Sequence, residues 1–145
     1  LGYPSPEDEI NILKGCHVQE EVQAVVSREE LQGMQQLAGQ VFVQEEVYQY
    51  VGELVQGTRK HPMVELGISP RGAVHVLQMA RALAFLRQRE YVLPEDVGDV
   101  FLPVCVHRMV LNSKARVAQM DAGRILGEIL KGVKVPKAMK GSNAR

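Results

Sequence analysis

Ser69, Pro70 and Arg71 are the residues of this chain whose types and order have the clearest chemical use. Ser69 reads as a helix N-cap, because its hydroxyl oxygen can accept a first-turn amide, and Pro70 suits the first helical position, where no amide is needed. Arg71 then puts a cation in the first turn. The helix dipole favours an anion there, so the placement costs about 0.3–1 kcal/mol. Two readings account for it. Either the side chain is a solvated arginine whose stem covers apolar surface, or its guanidinium and the free amides of the turn together form a phosphate receptor.

Other chemistry is poorly supplied. His17, His61, His75 and His107 are scattered, with no second histidine or carboxylate at zinc-ligand spacing, so no metal site is expected. Cys16 and Cys105 lack a CxxC context and a visible base, and read as small buried hydrophobes rather than nucleophiles. No GxxxxGK[ST] loop, GxGxxG fingerprint or GxSxG elbow occurs. The chain by itself is therefore not expected to be an enzyme.

The elements that must hold Arg71 follow from periodicity and caps. From Gly67 to Leu86, Ala73, Val76, Leu77, Ala80, Leu83 and Ala84 recur at three- and four-residue steps, a wide apolar stripe that predicts a central helix. Upstream, Ser5, Pro6 and three acids start a short helix with Ile10 and Leu13 as its apolar face. A connector with Val22, Val25 and Val26 as apolar anchors completes a leading segment, residues 1–26, whose abrupt start suggests a piece of something longer. Ser27 and Glu30 form a capping box for the next helix. Val41–Val43 reads as a very short strand, followed by a helix from Gln44 to about Gly57 that buries Val47, Tyr50, Val51, Leu54 and Val55. Thr58, Arg59, Lys60, His61 and Pro62 close that helix.

After the central helix, Tyr91–Leu93 is a second strand-like triplet that could pair with Val41–Val43. Pro94 opens another helix, with Leu93 a poor cap, and Pro103 should bend or interrupt it before a continuation through His107, Arg108 and Leu111. Asp121 caps a last helix carrying Ile125, Leu126, Ile129 and Leu130. The predicted organisation is a helical domain over 27–136 and a mobile basic tail over 137–145. The class is mainly α, an orthogonal helical bundle with a minor two-stranded β element.

Bulk properties bound the function. At 145 residues the chain fits one core. Lysine plus arginine equals aspartate plus glutamate at 17 each, so no overall field draws it to nucleic acid or an anionic membrane. No apolar run approaches the ~20 residues of a membrane span, and the two cysteines fit a reducing cytosol, so a cytoplasmic location is expected.

Gly67, Ile68, Ser69, Pro70 and Arg71, then Ala80, Arg81 and Ala82, then Tyr91, Val92, Pro94, Glu95, Asp96 and Val97, and finally His107 and Arg108 occur in that order. The succession resembles the C-terminal lid of MoxR-type AAA+ ATPases, whose pattern runs GxSPRA, ARA, an RDYVxPEDV-like segment and HR. Gly2, Tyr3 and Pro4, and Thr58 with Arg59, extend the likeness to most of residues 1–136.

The resemblance implies that Arg71 occupies the sensor-2 position, an arginine that reads the terminal phosphate of ATP, in its own subunit or a neighbour's. Ser69 and Pro70 would form the helix start beside the nucleotide. Arg81, taken to lie on much the same helical face, could be a second contact, but a salt bridge is its expected role. ATP and Mg²⁺ would belong to the full-length parent, with none tightly bound here. Phosphate loop, magnesium-binding acids and arginine finger would sit in an upstream AAA+ core. The implied partners are that core and neighbouring subunits of a ring, a homo-hexamer, acting in chaperone-like remodelling or maturation of a client protein. Two departures stand out: Gly72 replaces the pattern's alanine, loosening the first turn by up to ~1 kcal/mol, and Leu93 replaces a capping residue. The rival classes are a helix-turn-helix nucleic-acid binder, disfavoured by the neutral charge and apolar central helix, and a stand-alone helical interaction module.

Overall fold

The computed structural model describes residues 3–15 and 23–136. Gly2, Cys16, His17, Val22 and the 137–145 tail lie outside the described residues. Backbone contacts divide the chain into two units, residues 1–31 and 32–145.

In the first unit, Ser5 Oγ accepts from the Asp8 amide at 3.2 Å and starts α1 (Pro6–Leu13). The expected apolar face is present in type but is not covered: Ile10 is half exposed and Leu13 largely so, and α1 has no buried residue. Val25 and Val26 do not anchor the connector, being 95% and 41% exposed. Eight residues are too few to form a core of their own. The capping box is formed as expected, Ser27 Oγ accepting from the Glu30 amide at 3.1 Å and Glu30 accepting from the Ser27 amide at 2.8 Å. It starts α2 (Arg28–Gln40), which has no buried residue along its length.

The second unit holds the core. Val41 and Val43 point inward while Phe42 is exposed, the alternation of an extended strand. Phe42 meets Tyr91 as predicted, but as a single parallel bridge, with Phe42 N–H donating to Glu90 O at 2.8 Å and Val92 N–H to Phe42 O at 2.9 Å. α3 (Glu45–Lys60) buries the five predicted residues and Thr58 besides. α4 (Pro70–Leu86) buries Gly72, Val76, Ala80 and Ala84 and packs most extensively on α5 (Pro94–Cys105). The small residues of that stripe let the two helices approach closely. α7 (Ala122–Gly132), capped by Asp121, adds Ile125, Leu126 and Ile129. Phe101, Leu54, Ile68, Ile125 and Leu126 are fully buried, each contributing about 1.5–3 kcal/mol by removal from water.

The two-stranded sheet lies where sequence patterning did not place it. β1 (Val64–Leu66) pairs antiparallel with β2 (Val110–Leu111). The predicted helical continuation after Pro103 is replaced by a 3-10 turn (Val106–Arg108) and β2. Pro103 itself is absorbed within α5, which ends two residues later. A five-residue helix, α6 (Ser113–Val117), precedes α7. Among the described residues, no helix is long and apolar enough to cross a membrane.

Candidate functional site

The start of α4 is built against the end of α3. Thr58, with no solvent exposure, donates its hydroxyl to Val55 O at 2.7 Å and accepts the Ile68 amide at 3.0 Å. Arg59 Nε donates to Ile68 O at 2.9 Å, so both backbone groups of Ile68 are held by consecutive side chains of α3. Gly67 lies so close to this helix that a Cβ there would stand 2.8 Å from the Arg59 backbone. Ser69 then caps α4 as expected, accepting from the Gly72 amide at 3.2 Å.

Gly72 has a role that sequence reasoning missed. A Cβ at this position would meet Ile68 Cγ2 at 2.6 Å, and Ile68 is fully buried. The glycine lets the loop pack under the first turn; it is more than a loosened alanine. Both members of the contact lie within five residues, yet only the loop's fold brings them together.

Arg71 is exposed, and among the described residues it makes no ion pair and no side-chain hydrogen bond. The free amides expected around it are fewer than the four of a bare helix start. Pro70 has none and the Gly72 amide goes to Ser69 Oγ, while the Ala73 amide makes the first ordinary helical bond, to Ser69 O at 3.1 Å. What the site offers an anion is therefore chiefly guanidinium charge, the Arg71 amide and the Ser69 hydroxyl proton. Beside Ser69 and Pro70 opens a cleft of about 600 Å³, lined also by Arg59, Glu65 and Arg108. Arg108 is steadied by its Nε bond to Val104 O at 2.9 Å. Arg59 and Arg108, from two other elements, thus line a cleft at the start of the helix that carries Arg71, with Glu65 the one acid in the lining.

Arg81 does not join them. Ten residues advance a helix by about 15 Å and leave the two side chains roughly a quarter-turn apart. Arg81 instead reaches Gly39 O at 3.3 Å and Tyr48 Oη at 3.2 Å, and forms no salt bridge among the described residues. Its Nε is buried without a partner.

Asp96 does more than support its helix start. Fully buried, it accepts from Arg87 at 2.8 Å, from Arg89 through both oxygens, and from the Leu93 amide at 2.8 Å. Arg87 also bonds Asp99 at 2.7 Å. Burial pushes the Asp96 carboxyl up, but the bonds from Arg89, the Leu93 amide and Arg87 outweigh it and hold the group below its ordinary value. Leu93, unable to cap, is served by this reach-back bond. The sequence signal was two arginines flanking one residue, Arg87 and Arg89, close to an acid in the next helix. Cys105 is buried as expected, its thiol pushed up to about 11 by burial, which makes it inert. No group of metal-binding side chains occurs among the described residues.

A family model described as the AAA lid domain matches residues 56–129. YeaC of Bacillus subtilis, an uncharacterised protein, is 35% identical over 139 residues, covering 94% of this chain and 43% of that protein. The Mycobacterium tuberculosis protein named chaperone MoxR1 is 32% identical, covering 94% of this chain and 39% of its own length. A solved chain from Cytophaga hutchinsonii, whose description provisionally assigns it as an ATPase, superposes with a TM-score of 0.78 at 28% identity over 94% of this chain and 45% of that one. The chain spans about two fifths of the length of the curated relatives it matches.

Proposed function

We propose a function from one premise: this chain belongs to the AAA lid domain family, in its MoxR-type branch. It is the helical lid of an ATP-hydrolysing protein. Arg71 serves as its sensor-2 residue, reading the terminal phosphate of ATP bound to a nucleotide-binding core. The observation that carries this is Arg71 itself, an exposed cation at a helix start with no carboxylate bonded to it among the described residues, while Arg59 and Arg108 line the cleft at Ser69 and Pro70.

A planar guanidinium can take two phosphate oxygens at once, and in phosphoryl transfer such a group stabilises the charge that builds up in the transition state. Ser69, its oxygen committed to Gly72, can still donate its proton to an anion. Mg²⁺ would be held by core and phosphates rather than by any lid residue. In a ring of like subunits, a homo-hexamer in this reading, the arginine can serve its own nucleotide or a neighbour's. ATP-driven reorientation of the lid then drives chaperone-like remodelling of a client protein in the cytoplasm.

The test starts from the complete reading frame that encodes this chain, which should contain a GxxxxGK[ST] loop. In that protein Arg71→Ala should lower ATP turnover by about a hundredfold, the scale of losing one charge-stabilising donor, with ATP affinity measured separately. Unchanged affinity and turnover would reduce Arg71 to a surface residue. ATP hydrolysis by the present chain alone, surviving repurification, would also overturn the lid assignment. A helical interaction module is a second reading, favoured by the uncovered Met34 and Leu37 of α2; a reading frame without a phosphate-binding loop would support it instead.

A further inference from the structure

The three residues before the start of α4 are each tied to α3 or to α4 itself. Gly67 lies against the Arg59 backbone, Ile68 is held at its amide by Thr58 and at its carbonyl by Arg59, and Ser69 is tied into the first turn of α4. The Ile68 side chain is locked beneath Gly72, one residue past Arg71. Thr58 is the pivotal side chain. Its volume could be filled by valine, but valine could neither donate to Val55 O nor accept the Ile68 amide, and both positions are sealed from water. A hydroxyl is thus retained at a fully buried site where it joins two helices through one backbone amide.

We propose that Thr58 and Arg59 are the positioning residues for Arg71, so that the end of α3 sets where the guanidinium meets a nucleotide phosphate. The proposal rests on the sensor reading of Arg71. A tilt of α3 is delivered to Arg71 through Ile68, and a pull by phosphate on Arg71 is delivered back to α3. Arg59 contributes through its Nε bond to Ile68 O and is itself part of the cleft lining.

The experiment compares Thr58→Val, Thr58→Ser, Arg59→Lys and Arg71→Ala in the complete parent protein. It follows kcat and KM for ATP together with hydrogen exchange at the Ile68 amide. Thr58→Val should speed that exchange and lower turnover about tenfold, less than the hundredfold an ångström-scale misplacement can cost. Thr58→Ser, which keeps the hydroxyl, should retain both. Arg59→Lys, which lacks the Nε donor, should fall between and serves as the second variant if Thr58→Val does not fold. Added to Arg71→Ala, Thr58→Val should cause no further loss of turnover, because the residue it positions is gone. Equal losses in the two backgrounds would mean a purely structural threonine and overturn the proposal. So would normal turnover in Thr58→Val and Arg59→Lys where Arg71→Ala is impaired. A silent Arg71→Ala would instead remove the sensor reading, and the positioning role with it.

Discussion

The two ends of α4 both carry arginine, and they treat it in opposite ways. At the C-terminal end Arg87 and Arg89 converge on Asp96, which is buried, hydrogen-bonded through both oxygens and held ionised. At the N-terminal end Arg71 stands in the less favourable direction of the helix dipole, exposed, with no acid among the described residues to compensate it. The first arrangement satisfies itself within the bundle and leaves nothing for a ligand. The second leaves its guanidinium in solvent, open to an anion from outside. A charge whose partner is built in contributes to folding, whereas a charge without one is free to meet a ligand, the role proposed for Arg71.

The largest effect that can break this contrast is expected at Asp96. Asp96→Asn removes the shared anion and should cost about 3 kcal/mol in urea unfolding, near the lower bound for breaking a buried pair, because Arg87 is 44% exposed and can turn to water. Its acid dependence should change as well. Since the folded carboxyl lies below its unfolded value of about 3.9, its contribution is complete above about pH 4. It drains as pH falls through the folded value, where the unfolded chain has already taken up the proton. The Asn variant should lose this part of the acid limb, and an unaltered limb would mean that other carboxylates carry it.

Gly72→Ala should come next, at about 1 kcal/mol, the difference between an overpacking penalty of about 1–3 kcal/mol and the better helix propensity of alanine. Stabilisation by this change would show that the loop relaxes freely around Ile68, and would weaken the case for a rigid Arg71 mount. The smallest effect sharpens the contrast most: Arg71→Ala should leave the unfolding midpoint of this chain within about 0.5 kcal/mol of the parent. A larger destabilisation would place Arg71 with Arg87 and Arg89, as a structural residue.

Sequence alone carried most of the helices, though it missed α6 and read helix where Val106–Leu111 forms a 3-10 turn and β2. The caps at Ser27, Ser69 and Asp121, the buried stripes of α3 and α4, and the family itself were all readable. It misplaced the sheet, because Val64–Leu66 is too short to show alternation and Val110–Leu111 follows helical-looking residues. It gave Arg81 to the wrong neighbourhood, because its partners Gly39 and Tyr48 are 42 and 33 residues away. It showed Asp96 only as one member of a motif, and of its four bonds just the one from the Leu93 amide is local to the helix start.

What the residues determined by themselves is whatever depends on neighbours within about one helical turn: caps, apolar periodicity and the unusual cation at position 71. Those interactions are encoded in spacing, since a helix brings positions three and four apart onto one face whatever the rest of the chain does. Which arginines find an acid, which glycine makes room for a buried isoleucine, and which side chains hold Ile68 were decided only when α3, α4 and α5 packed. Burial removes the solvent that would otherwise satisfy each polar group, so its partner must come from whichever element the fold sets beside it.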